Sequence, residues 1–216
     1  MLILTEQTSI ANHFIAELRD QKIQRDSMRF RRNLERLGEL LAYEISKKLD
    51  YEPRVVNTPL GIAETMLLAE QPVLITILRA GLPFYQGFLN FYDKAESAFV
   101  GAFRGPHDDR DFTFEIEMHY IAAPDLTGKQ VILIDPMLAT GKSITITAEA
   151  LCKYGQPAHI HIAAAIASRQ GVDYLAQHLK LSHSLWVGDL DEELNNKYYI
   201  VPGLGDAGDL SFGSKM

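Results

Sequence analysis

The stretch VILIDPMLATGKS, residues Val131–Ser143, passes from a short apolar run to the opening of a helix pattern. Val131–Ile134 has no polar interruption, as expected of a strand covered on both faces. Asp135 ends it, a short loop follows, and a helix opens near Ser143. The backbone N–H groups of Ala139 to Ser143 are expected to point into that loop. There they meet the positive end of the helix dipole, which makes a cradle for phosphate. Gly141 lets the backbone approach closely, and Thr140 and Ser143 add hydroxyl donors. Asp135 is placed to accept hydrogen bonds from the vicinal hydroxyls of a ribose. The ending Gly141-Lys142-Ser143 is that of a P-loop, but a P-loop needs glycine five residues before Gly141, where Pro136 stands. A tight strand-to-helix turn with an incidental acid is the plainer alternative.

The same alternation extends outward from this stretch. Strand-like runs fall at Arg54–Asn57, Val73–Leu78, Ala98–Phe103, Gln130–Ile134, His159–Ala165 and Ser184–Val187. Helical patterns fall between several of them, at Ile62–Glu70, Leu82–Tyr92, Ser143–Tyr154 and Gly171–His178. Apolar strands alternating with helices predict a mostly parallel sheet flanked by helices, an α/β fold. Ligands of such sheets bind beyond the carboxyl ends of the strands.

The first third reads as helical, with Ile10, Phe14 and Leu18 on one stripe and Phe30, Leu34, Leu37, Leu41 and Ile45 on another. Asp26 and Ser27 are the N-cap candidates. Arg29, Arg31, Arg32 and Arg36 fall mostly off the stripe, as a solvated face or else a subunit interface or effector-phosphate site. Residues 104–120, RGPHDDRDFTFEIEMHY, break the alternation: a turn at Gly105-Pro106 precedes a period-two run through Phe112, Phe114, Ile116 and Met118. That pattern predicts one arm of a projecting hairpin over about 104–121.

Composition narrows the class. A chain of 216 residues, 47% hydrophobic and 23% charged, suits one domain spanning 1–216, able to bury about 70% of its unfolded surface. One cysteine, Cys152, excludes an intrachain disulfide and a cysteine zinc site, and reads as a small core residue. A net charge of −7 argues against a general nucleic-acid binder. The longest apolar run, about seven residues at Pro72–Leu78, is far short of a membrane span. MLILTEQTSI lacks a positive n-region, so a cytoplasmic protein is expected.

Two arginines stand just after apolar runs, Arg79 in LRAGL and Arg104 after Ala98–Phe103. Arginine offers planar, permanently charged donors suited to phosphate oxygens, although a solvated strand end explains either residue alone. The C-terminal YYIVPGLGDAGDLSFG, residues 198–213, contains G-x-G-x-x-G at Gly203, Gly205 and Gly208. Too little chain follows for a dinucleotide-binding unit. What remains is a stiff glycine-rich loop around Asp206 that can present backbone groups to a flat heterocycle, or simply cap the sheet. His159 and His161, two apart on one strand, read as structural. His107, Asp108, Asp109 and Asp111 read as a solvated hairpin tip.

Together these residues resemble the uracil phosphoribosyltransferase family. DPMLATGKS is similar to its phosphoribosyl diphosphate (PRPP) loop, ILRAGL to its diphosphate loop, YIVPGLGDAGD…FG to its uracil loop, and FRRNLERLGELLAYE to its N-terminal helix. The resemblance implies a phosphoribosyltransferase-like fold with a hairpin hood and a base-binding tail over about 196–216. It implies that Arg79 and Arg104 hold diphosphate. Asp135, Pro136, Met137, Leu138, Ala139, Thr140, Gly141, Lys142 and Ser143 would hold ribose and 5′-phosphate. Ile200, Gly205, Asp206 and Ala207 would surround uracil, with Asp206 also near PRPP. Arg79, Arg104 and Asp206 would then be the catalytic set. Mg²⁺ is implied through PRPP and water, with no protein ligand named, and the partners implied are uracil, PRPP, GTP as a candidate effector, and further copies of the chain. Neither nucleic acid nor membrane is expected as a partner. Lys142 departs from the family, which carries a second glycine there, and residues 105–118 depart from its hairpin pattern. A uridine-nucleotide-sensing RNA-binding regulator on the same fold, or a phosphoribosyltransferase for another base, are the alternatives.

Overall fold

The computed structural model describes residues 1–104 and 116–214; the side chains of 102–119 lie outside that description. The proposed hairpin tip, with His107, Asp108, Asp109, Asp111, Phe112 and Phe114, therefore falls outside it, as does the side chain of Arg104. The chain opens with β1 (Leu2–Ile3), α1 (Ala11–Arg19) and α2 (Ser27–Ser46), followed by β2 (Tyr51–Thr58) and β3 (Gly61–Leu68). Next come β4 (Val73–Leu78), α3 (Gly81–Leu89), β5 (Ser97–Arg104), β6 (Ile116–Ala122), β7 (Gln130–Ile134) and β8 (Met137–Leu138). The remainder is α4 (Lys142–Leu151), β9 (His159–Ser168), α5 (Arg169–His178), β10 (His183–Asp191), β11 (Glu193–Leu194), β12 (Ile200–Val201) and α6 (Ala207–Phe212).

Among the described residues eight strands form one sheet in the order β1-β10-β9-β7-β4-β5-β6, with β8 added beside β9. All pairings are parallel except β5 with β6. The unbroken apolar run of β7 is explained by its place between β4 and β9 and by helices on both faces. Ile132 and Ile134 face α1–α3, in a cluster with Leu34, Phe84 and Trp186. Val131 and Leu133 face the other way, in a cluster with Ile144 and Ala148 of α4 and Leu175 of α5.

Helix α2 forms as its stripe predicts: Phe30, Leu34, Leu37, Leu41 and Ile45 are all buried. Asp26 caps it, accepting the Met28 and Arg29 N–H groups at 3.0 and 3.1 Å. The arginines off the stripe are tied down within the chain. Arg29 pairs with Glu17, Arg32 with Glu35, Arg36 donates to Asn33, and Arg31 donates to the Ser211 carbonyl at 2.7 Å.

One expected helix is a strand. Ile62–Glu70 was expected to be helical, but Gly61–Leu68 is β3, paired antiparallel with β2 from Thr58↔Gly61 to Tyr51↔Leu68. Pairing across the turn at Pro59-Leu60 overrides the helix propensity of Ala63, Glu64, Met66 and Leu67. Cys152, expected in the core, is half-buried in a short 3₁₀ turn after α4. His159 and His161 lie at the amino end of β9, bonded to Ser182 and Ser184, away from the carboxyl ends of the strands.

Candidate functional site

A cavity of about 740 Å³ opens at the carboxyl ends of β4, β5 and β7. Four segments wall it, one of them Gly101 of β5. Ile77 to Ala80 come from the end of β4, Asp135, Met137, Ala139 and Ser143 from the β7–α4 connection, and Tyr198 to Ile200 with Gly205 to Gly208 from the C-terminal tail. The strand order puts β4 beside β7, so two loops far apart in sequence meet at one sheet edge.

The β7–α4 connection is built to leave a helix end open. Gly141 is the N-cap, in left-handed conformation at φ 77°, and among the described residues no side chain caps α4. The first-turn N–H groups have no carbonyl one turn back to bond. The first intrahelical bond runs from the Thr145 N–H to the Gly141 carbonyl at 3.0 Å, and the Thr145 hydroxyl donates to the same carbonyl at 3.0 Å. The loop is braced from behind. Buried Ser168 donates to the Ala139 carbonyl at 2.5 Å and accepts the Gly171 N–H at 2.9 Å. A Cβ on Gly171 would stand 2.4 Å from that carbonyl, so only glycine permits the approach.

The cradle is smaller than the sequence suggests. The Ala139 N–H does not point into the loop, because it donates to the Met137 carbonyl at 3.1 Å. Asp135, Met137, Ala139 and Ser143 line the cavity. Leu138 is instead buried in the core, in the cluster that contains Ile144. Pro136 is buried and its carbonyl accepts the Ala165 and Ile166 N–H groups, which anchors the loop to β9. Thr140, Gly141 and Lys142 do not line the cavity, and Lys142 is the half-buried first residue of α4.

Arg79 follows β4 directly and sits on the cavity wall. Its Nη2 donates to Asp209 Oδ1 and to the Gly213 carbonyl, both at 3.2 Å, so the guanidinium also ties the tail to the sheet. Asp206 is the N-cap of α6 and accepts the Asp209 N–H at 2.9 Å. Upstream, Asp191 Oδ2 accepts the Gly203 N–H at 3.0 Å while Arg19 Nη1 donates to the Gly203 carbonyl at 2.9 Å. Arg19 and Asp191 pair with each other at 2.8 Å, and Asp191 is 6% exposed. Both backbone groups of one loop residue are thus held by a partly buried ion pair.

Nearly the whole chain matches known proteins. The family model described as uracil phosphoribosyltransferase matches residues 4–214. The chain belongs to the uracil phosphoribosyltransferase family. A uracil phosphoribosyltransferase of Porphyromonas gingivalis is 51% identical over 213 residues, 99% of this chain and 98% of that protein. One from Pyrococcus furiosus is 36% identical, over 98% of this chain and 89% of its own. A solved Aquifex aeolicus protein superposes with a TM-score of 0.84 at 31% identity, over 97% of both chains. A Staphylococcus aureus hypoxanthine phosphoribosyltransferase, at TM-score 0.50 and 14% identity over 74% of each chain, shares the fold.

Against this family membership, Arg79, Asp135, Met137, Ala139, Ser143, Ile200, Gly205, Asp206 and Ala207 come together in one cavity. Sequence reading missed Tyr198 and Tyr199 as wall residues, although they open the quoted tail motif, and missed the Arg19–Asp191 pair. Nothing in the spacing of Arg19, Asp191 and Gly203 could have connected them, because their contact exists only once α1, β10 and the tail have packed.

Proposed function

We propose that this chain transfers the phosphoribosyl group of PRPP to N1 of uracil, giving UMP and diphosphate, with residues 1–216 acting as one phosphoribosyltransferase domain. The observation that carries this reading is a single cavity joining an uncapped helix N-terminus to the glycine-rich tail loop. The first suits a 5′-phosphate and the second a flat base, so both reactants are held with their reacting atoms facing one another.

Bond breaking at C1′ puts negative charge on the leaving diphosphate. Arg79, already on the wall, exchanges its contacts to Asp209 and the Gly213 carbonyl for those oxygens. Arg104 joins it by the family resemblance, since its side chain lies outside the described residues. Asp135 holds the ribose hydroxyls. Asp206, fixed as the α6 cap, orients the N1 edge of the base.

Mg²⁺ is proposed to enter on PRPP. Asp135 and Asp206, both on the cavity wall, would face its water shell. Among the described residues no group of three carboxylate, imidazole or thiol side chains could cage it unaided. When bound, the ion would neutralise charge on the diphosphate.

The chain is further proposed to work in the cytoplasm as a homodimer or larger assembly. Among the described residues no helix is long and apolar enough to cross a membrane. The assembly is supported by the β2–β3 hairpin, which exposes Val55, Ile62 and Met66 and needs apolar cover.

The test is UMP formation from PRPP with each nucleobase in turn, with and without GTP. Uracil alone should be converted at an appreciable rate; turnover of a purine or orotate with none of uracil overturns the reading.

A further inference from the structure

Tyr198 is the one non-glycine residue with positive φ among the described residues, at 59°. Its conformation is imposed by the hairpin that it completes. Strands β11 and β12 pair through Leu194↔Ile200. Between them the Tyr198 N–H donates to the Asn195 carbonyl and the Asn195 N–H donates to the Tyr199 carbonyl, both at 2.9 Å. This is a tight turn followed by a one-residue bulge, in which the bulge position must be left-handed and is normally glycine. The Asn195 side chain locks the turn further, accepting the Lys197 and Tyr199 N–H groups at 2.9 and 3.0 Å.

A bulky residue at such a position is disfavoured, because its Cβ crowds the backbone. Glycine would complete the same hairpin with less strain. The chain nevertheless places a tyrosine there, and that tyrosine lines the cavity with Ile200, Gly205, Asp206 and Ala207. Strain of this kind persists where a side chain has work to do at a site.

We propose that Tyr198 is a substrate-binding residue whose ring walls the base end of the cavity and packs against the heterocycle. The proposal rests on the uracil reading above. An aromatic wall suits a planar base, since every base has a π-face that a ring can stack on. The strained backbone and the wall position together argue that the ring is kept for binding.

The experiment compares wild type with Tyr198→Gly, Tyr198→Asn and Tyr198→Phe, reading thermal unfolding and the KM for uracil and for PRPP separately. Glycine should leave the Tm unchanged or raise it by about 2–4 °C. It should raise the uracil KM at least about fivefold and leave the PRPP KM within about twofold. Asparagine, which tolerates the left-handed backbone, should show the same loss, and phenylalanine should restore wild-type behaviour. A wild-type uracil KM in the glycine or asparagine variant overturns the proposal. So does a fall in Tm with both KM values rising together, which makes the ring structural. A change confined to PRPP removes the base assignment. Wild type that forms no UMP overturns the functional reading itself, and this proposal with it.

Discussion

Among the described residues Arg79 has two partners, Asp209 and the Gly213 carbonyl, each at 3.2 Å. Its side chain is 41% exposed, so these contacts are solvent-screened and readily exchanged for a polyanion. Replacement by alanine should lower PRPP-dependent kcat/KM at least about tenfold, roughly 1.4 kcal/mol. Wild-type turnover in Arg79→Ala would remove it from the diphosphate site. Gly171 acts from outside the cavity. A methyl there meets the Ala139 carbonyl at 2.4 Å and the Leu138 carbonyl at 3.0 Å, both in the loop that leads to α4. Gly171→Ala should therefore destabilise the fold by about 1–3 kcal/mol and raise the PRPP KM, with the uracil KM little changed. Equal Tm and equal PRPP KM would show that the loop yields freely. Asp135, Arg79 and Ser143 were legible because each directly follows an apolar run or opens a helix. Ala139 was legible only as a position, since which way its N–H points depends on the Met137 carbonyl. Tyr198 was invisible as a strained residue because φ is set by the hairpin, not by the residue type.

At the level of elements, the sheet strands β4 and β7 coincide with the runs read from sequence, because burial on both faces leaves no polar residue to blur the ends. Strand β3 failed for the opposite reason. Both faces of the β2–β3 hairpin are open, so no apolar alternation marks it, and its residue types favour helix. That openness predicts assembly. The protein should elute as more than one 24.2 kDa chain, and Ile62→Glu, at a position 76% exposed, should shift it toward the monomer. Light scattering that shows a monomer for wild type would sink this. The tail is held by a second device, the Arg19–Asp191 pair on Gly203. Asp191→Ala leaves a half-buried guanidinium without one of its two carboxylate partners and frees one loop N–H. A loss of about 3 kcal/mol, or about 6–12 °C in Tm, is expected, with the uracil KM rising and the PRPP KM held. A Tm within about 2 °C of wild type would show that Asp189, which also pairs with Arg19, suffices.

Across the whole molecule the two edges of the sheet have different work. The carboxyl edge gathers the cavity, as the alternation of strands and helices predicted. The amino edge of β9 and β10 holds a neutral polar cluster that spacing alone marked as structural. There the Trp186 indole N–H is shared between Ser184 Oγ at 3.0 Å and His161 Nδ1 at 3.2 Å, contacts that suit an uncharged imidazole. His161 is 2% exposed, and burial, then the neighbouring His159, lower its pKa from 6.5 to about 4. Burial lowers the His159 pKa as well. The unfolded chain therefore binds protons that the folded chain refuses. The His161 contribution is intact above about pH 6.5 and is lost as pH falls toward about 4, amounting to up to about 3 kcal/mol. Glu17 acts in a lower window. Hydrogen bonds from Arg29 and Asn33 hold its pKa at about 2, so its contribution fades only below about pH 4.5. Urea unfolding between pH 7 and pH 4.5 should thus show stability falling with pH in wild type. His161→Gln, which keeps an acceptor for Trp186 but does not titrate, should flatten that slope. Parallel slopes in the two proteins would place the acid sensitivity elsewhere. Because the cluster lies at the amino edge, the uracil and PRPP KM values of the variant at pH 7 should match those of wild type.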